Sequence, residues 1–179
     1  GVGPGHAVPS HAADGRWGDR GPDRECARGA RLMDVDDGVA PIDLLFNGSL
    51  TDTGAAAGIT KIGAGTARLN VVSSYRGMTT VEEGTLSFFV AGSLGFGGLT
   101  VNGGVAQFDI ANAVNLAAGT VTIPNLPQSV ITVNGGTLEF NNFGQTISKL
   151  VWNDGTINFP TSGGVTFSHA SNDATVLEI

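Results

Sequence analysis

Three isolated acids, Asp109, Glu139 and Asp154, are the residues of this chain best spaced to meet from neighbouring segments. Cleavage of a polysaccharide needs carboxylates that converge to within about 5 to 10 Å. These three would serve only if the fold stacked them. Glu82 and Glu83 are adjacent at a turn, so in an extended chain they point apart and read as solvated turn charges. Asp34-Val35-Asp36-Asp37-Gly38 has the look of a calcium loop. The EF-hand spacing needs a ligand at 38 and glycine at 39, where this chain has Gly38 and Val39. A solvated acidic linker is the reading that remains.

The other reactive types are scattered. His6, His11 and His169 have no zinc-ligand spacing with one another or with Cys26. Cys26 has no activating neighbour and cannot form an internal disulfide alone. Gly63-Ala64-Gly65 is a turn, because the Lys-Ser/Thr pair of a phosphate loop does not follow it. Phe88, Phe89 and Phe96 read as core or coil-edge residues. No catalytic, cofactor-binding or metal-binding residue is assigned, and no enzyme is expected. A polar stripe is the remaining chemistry: Asn102, Asn134, Asn141, Asn142 and Asn153 could grip an extracellular glycan or a host or neighbouring cell surface.

Charge narrows the partners further. The formal net charge is −7 and charged residues make up only 14%. Nucleic acid is excluded, since its binding depends on Lys and Arg neutralising phosphates. A polybasic grip on anionic lipid is excluded likewise. The most apolar run, Leu86 to Leu99, is too short to span a membrane as a helix and is broken by Ser87, Ser93 and glycines. The start, Gly1-Val2-Gly3-Pro4-Gly5, lacks a basic and an apolar region of a signal peptide. The chain is therefore read as a fragment or processed product, expected to continue past Ile179.

The elements that must position these residues are short strands. Gly accounts for 28 residues while Trp and Tyr together give three, so small and β-branched side chains must fill the core. Residues 1–45 hold four of the seven prolines and eight of the sixteen acids without period, and read as a flexible arm or linker. A short helix over Arg24 to Met33 is weakly signalled there. Residues 46–179 read as strands over 59–62, 66–71, 79–81, 85–90, 99–101, 105–110, 120–123, 130–133, 137–140, 147–152, 156–159 and 165–168. The ending, Thr175 to Ile179, also alternates like a strand.

A frame recurs along this region. A β-branched residue leads into a polar turn ending in Gly, then Thr or Val and alternating apolar residues. Its copies include Thr80 to Phe88, Thr100 to Phe108, Thr132 to Phe140 and Val151 to Phe159, with a weaker one at Gly119 to Ile123. The marked glycines, 65, 84, 104, 119, 136 and 155, are separated by 19, 20, 15, 17 and 19 residues. One coil cannot bury its own inward face, but stacked coils can, in parallel register about 4.8 Å apart. The competing reading is an antiparallel sandwich built from Val-Asn-Gly-Gly hairpins.

Residues 58–86 add a specific likeness. Thr60-Lys61, Gly63-Ala64-Gly65-Thr66, Leu69, Tyr75, Gly77, Thr79-Thr80-Val81 and Gly84-Thr85-Leu86 resemble, in order, the autotransporter-associated β-strand repeat, or passenger-associated transport repeat. Ala67, Arg68 and Met78 depart from the family pattern. The resemblance implies an all-β, right-handed parallel β-helix (β-solenoid) in the passenger of a type V secreted protein. It further implies a place outside the outer membrane of a Gram-negative bacterium, secreted or on the cell surface, with a repeat that helps the passenger emerge and fold. The expected function is structural and adhesin-like. End-to-end self-association through the open ends is a further expectation.

Overall fold

The computed structural model describes residues 23–25, 31–52, 55–114, 130–162, 164–167 and 177–178. Seventeen strands lie among them: β1 (Asp23–Glu25), β2 (Arg31–Asp34), β3 (Leu44–Phe46), β4 (Ser49–Thr51), β5 (Ile59–Ile62), β6 (Thr66–Leu69), β7 (Thr79–Val81), β8 (Thr85–Phe88), β9 (Leu99–Val101), β10 (Val105–Phe108), β11 (Val130–Val133), β12 (Thr137–Glu139), β13 (Gln145–Ile147), β14 (Lys149–Trp152), β15 (Thr156–Asn158), β16 (Val165–Phe167) and β17 (Leu177–Glu178). Among the described residues there is no helix, and every strand pairing is parallel. The strands stack as a β-solenoid of about five turns. The hairpin sandwich is therefore ruled out, because Asn-Gly here turns a coil instead of reversing it.

Two long faces carry the ladder. One runs β2-β5-β7-β9-β11-β14-β17 and the other β3-β6-β8-β10-β12-β15. A third, shorter face returns the chain to the next coil through β1-β4, β13-β16 and the single bridges Leu50↔Ser73 and Leu94↔Val114. Alternation within each strand sends one set of side chains inward. Ile59, Leu99, Ile131 and Leu150 are fully buried on the first face, and Leu69, Leu86, Phe88, Phe108 and Leu138 on the second. Each such side chain contributes about 1.5 to 3 kcal/mol on leaving water. In one column Ala67, Leu86, Ala106 and Leu138 succeed one another across paired strands, so small and large residues alternate up the axis. In the next, Phe88, Phe108 and Phe140 stack with centroids 5.1 and 5.5 Å apart.

Glycine decides the corner between the two long faces. Gly84, Gly104, Gly136 and Gly155 all have φ between +61° and +90°, and a Cβ on each of the last three would meet the backbone oxygen of the glycine one coil earlier at 2.4 to 2.6 Å. Only glycine tolerates both conditions at once. The amide of the following residue then bonds back along the column, as in Thr137 N–H to Gly104 O at 2.8 Å and Thr156 N–H to Gly136 O at 2.9 Å.

Several boundaries differ from the sequence reading. The ladder already includes Arg31–Asp34, paired with Ile59–Ile62, inside the segment expected as an arm. Met33 and Val35 are buried there, so alternation outweighs the acidic composition around it. Both ends of the helix expected over 24–33 are strands instead, Asp23–Glu25 and Arg31–Asp34, and residues 26–30 lie outside the described ones. The strand expected over 147–152 splits at Ser148 into β13 and β14, which belong to different faces. The frame at Gly119 lies outside the described residues. On either side of it Val105 pairs with Thr137 and Leu99 with Ile131.

Candidate functional site

The acids Asp109 and Glu139 come together, and Asp154 does not join them. Asp109 follows β10 and accepts bonds from Ser87 Oγ (2.5 Å), Gln107 Nε2 (2.7 Å) and Asn141 Nδ2 (2.8 Å). Glu139 Oε1 accepts from the Asn141 backbone N–H at 3.2 Å, and its Oε2 from Asn158 Nδ2 at 2.6 Å. Asn141, held at φ +45°, is thus the link between the two carboxylates. Asp154 lies in the β14–β15 turn and accepts from its neighbour Gly155 N–H at 2.7 Å. The arrangement is a polar network across four coils on the outer side of the second face, with exposed Phe89 in the position one coil before Asp109. Arg68 covers that ring, its guanidinium carbon 4.3 Å from the centroid.

The asparagine stripe divides. Asn153 Nδ2 donates to Asn134 Oδ1 (2.7 Å), Asn134 Nδ2 to Asn102 Oδ1 (2.9 Å), and Asn102 Nδ2 to Glu82 Oε1 (2.8 Å). These four sit one above another at the glycine corner. Asn141 and Asn142 belong elsewhere, after β12, where Asn142 Oδ1 accepts from Thr161 N–H and Oγ1. Glu83 is exposed beside this ladder and contributes its backbone oxygen, described below. Asp34, Asp36 and Asp37 lie at the exposed end of β2 and in the loop after it, while Asp43 accepts from Gly38 N–H (2.8 Å) and Thr66 N–H (2.7 Å). Among the described residues no group of three His, Cys, Asp or Glu side chains is placed to hold a metal. His6, His11, Cys26 and His169 lie outside the described residues.

Two charged residues that sequence reasoning did not single out as chemistry are the most constrained polar groups. Lys61 has the inward parity of β5, between Met33 and Val81 in register, and is fully buried. Its ammonium donates to the backbone oxygens of Ile62 (2.8 Å), Gly63 (2.7 Å) and Glu83 (3.2 Å), tying the corners of two successive coils together. All three protons are used, which is what allows a cation inside. Burial lowers the Lys61 pKa from 10.5, partly offset by the charges of Asp34, Glu83 and Asp43. Period-two alternation from Ile59 would have flagged Lys61 as inward. Asp52, its side chain 1% exposed, accepts from Arg76 Nε and Arg76 N–H, both at 2.8 Å, and from Ala57 N–H at 3.1 Å. Burial pushes its pKa up, but these bonds outweigh it and hold the carboxyl below 3.8. No spacing in the sequence announces that pair.

Neither curated proteins nor solved structures give a match to this chain. The family model described as passenger-associated-transport-repeat matches residues 59–88, which are β5 to β8 and the connections between them. Buried Lys61, and buried Tyr75 with its hydroxyl 2.6 Å from Thr79 Oγ1, both fall within that stretch. A passenger-associated transport repeat set in a parallel β-solenoid fits a segment of an autotransporter passenger.

Proposed function

We propose that the chain is a structural β-solenoid segment of a secreted or surface-displayed bacterial passenger, and that it supports folding and surface presentation as an adhesin-like scaffold, not as an enzyme. The observation that carries this reading is the position of the matched repeat. Residues 59–88 supply two consecutive strands to each long face, and both faces continue past them in either direction. The repeat thus acts as an internal template on which neighbouring coils stack. A scaffold role also accounts for the carboxylates, whose oxygens are engaged by Ser87, Gln107, Asn141 and Asn158.

The test is surface display. The chain is placed between a secretion signal and an outer-membrane barrel in a Gram-negative host, and display is read by proteolysis of intact cells. The parent chain should reach the surface, and Leu86→Asp, which puts a charge into the buried column, should lower the displayed fraction several-fold. Equal display of the two, or retention of the parent chain in the periplasm, contradicts the proposal. A second reading, a glycan-binding face, is favoured by exposed Phe89 next to the Asp109–Asn141–Glu139 network. Binding on a glycan array that Asn141→Ala abolishes would support it, and a clean array would count against it.

A further inference from the structure

Asparagine precedes glycine at Asn47-Gly48, Asn102-Gly103 and Asn134-Gly135. Such a pair can react with itself. The glycine amide nitrogen, unhindered by a Cβ, attacks the asparagine Cγ. The N–Cγ bond forms, the Cγ–Nδ2 bond breaks, and ammonia leaves with the amide proton. Water then opens the five-membered imide to aspartate or isoaspartate.

In the folded coil both reacting groups at Asn102 and Asn134 are held apart from this path. The Gly103 N–H donates to Val81 O at 3.2 Å and the Gly135 N–H to Val101 O at 3.3 Å. Each side-chain amide is fixed by the rung before it and the rung after it, through Glu82, Asn102, Asn134 and Asn153. Rotation of Cγ onto the next nitrogen must break two bonds along the ladder. Both asparagines are nonetheless solvent-exposed, so water for the second step is at hand once the ladder opens. The product is also incompatible with the corner. Aspartate at 102 would set an oxygen where Nδ2 now lies, 2.8 Å from Glu82 Oε1. Isoaspartate would add a backbone atom beside Gly104, whose Cβ position is only 2.4 Å from Gly84 O.

We propose that Asn102 and Asn134 are self-modification sites gated by folding: they deamidate in the unwound chain, are shielded by the rung-to-rung amide ladder, and once converted obstruct re-formation of that corner. The experiment uses the full chain in mildly alkaline buffer, with and without denaturing urea. Site-resolved mass spectrometry and isoaspartyl methyltransferase labelling follow the conversion. Both sites should react at least about tenfold more slowly in the folded chain, the factor set by ~1.4 kcal/mol of local opening. Asn153→Ala, an exposed change that removes the donor to Asn134 Oδ1, should speed Asn134 conversion in buffer several-fold and leave its rate in urea unchanged. A cooperative urea transition in the variant confirms that it still folds. Equal rates in buffer and urea, or an Asn134 rate unmoved in Asn153→Ala, overturns the proposal.

Discussion

Asn102 donates its side-chain amide to Glu82 Oε1 across one coil at 2.8 Å, and this single bond sets the direction of the whole ladder. A carboxylate has no proton to give, so Asn102 must turn Nδ2 towards it and Oδ1 towards Asn134. Asn134 and Asn153 then have to follow in the same sense. Glu82→Ala removes the acceptor and should cost about 0.5 to 1.5 kcal/mol, the net value of one hydrogen bond. In a double-mutant cycle with Asn134→Ala the two losses should not add, because the ladder is shared. Strict additivity in urea unfolding would show the bonds to be independent.

Lys61 gives the fold a pH dependence on the alkaline side. Its folded pKa lies below 10.5, so between that lowered value and 10.5 the unfolded chain holds more protons than the folded one. Stability must therefore rise with pH through that window. Lys61→Met should abolish the slope. It should also cost about 2 kcal/mol near neutral pH, since the oxygens of Ile62, Gly63 and Glu83 lose their donor. Urea midpoints of the two chains against pH measure both effects. A parallel pH trend in the two proteins would refute the assignment.

Asp52 acts at the other end of the scale. Its carboxyl is held below 3.8, so its stabilisation is fully present above 3.8 and is lost as pH falls through the lowered value. Asp52→Ala should cost about 2 kcal/mol at neutral pH, within the range for bonds to charged groups. It should also flatten the acid limb of the stability profile. Thermal unfolding at neutral and acid pH reads both, and an undiminished acid limb in the variant would contradict the geometry.

Glycine position, not glycine content, decides tolerance. Gly104→Ala places a Cβ 2.4 Å from Gly84 O at φ +61° and should destabilise by about 2 kcal/mol or more. Gly164→Ala meets nothing within 4 Å and should stay within about 0.5 kcal/mol of the parent. Comparable losses at both sites, read by urea denaturation, would mean the corner is not built as described.

Most of the ladder was legible because alternation and corner glycines are local signals. Leu86, Phe88, Leu138 and Phe140 point inward, as their parity requires. Legibility failed wherever the signal was long-range. Val105 and Thr137, 32 residues apart, are register partners, and no short window of sequence announces that pairing. Arg31–Asp34 was hidden by the acids around it, although Met33 is buried against the next coil. The meeting of Asp52 with Arg76 depends on how one coil closes over another, which no short window of sequence encodes. Of the candidate groups, Asp109 and Glu139 were legible as acids on adjacent coils, whereas Asn141 as their link was not.

Thr100 and Thr132 are 32 residues apart in sequence and register partners in the ladder. Nitroxide labels at these two positions, in a chain whose Cys26 is replaced by serine, report their separation by spin coupling. A stacked parallel solenoid places the two backbones about 4.8 Å apart, so the spectrum should show strong dipolar and exchange broadening. Labels separated by two rungs or more, with no such broadening, would contradict the register.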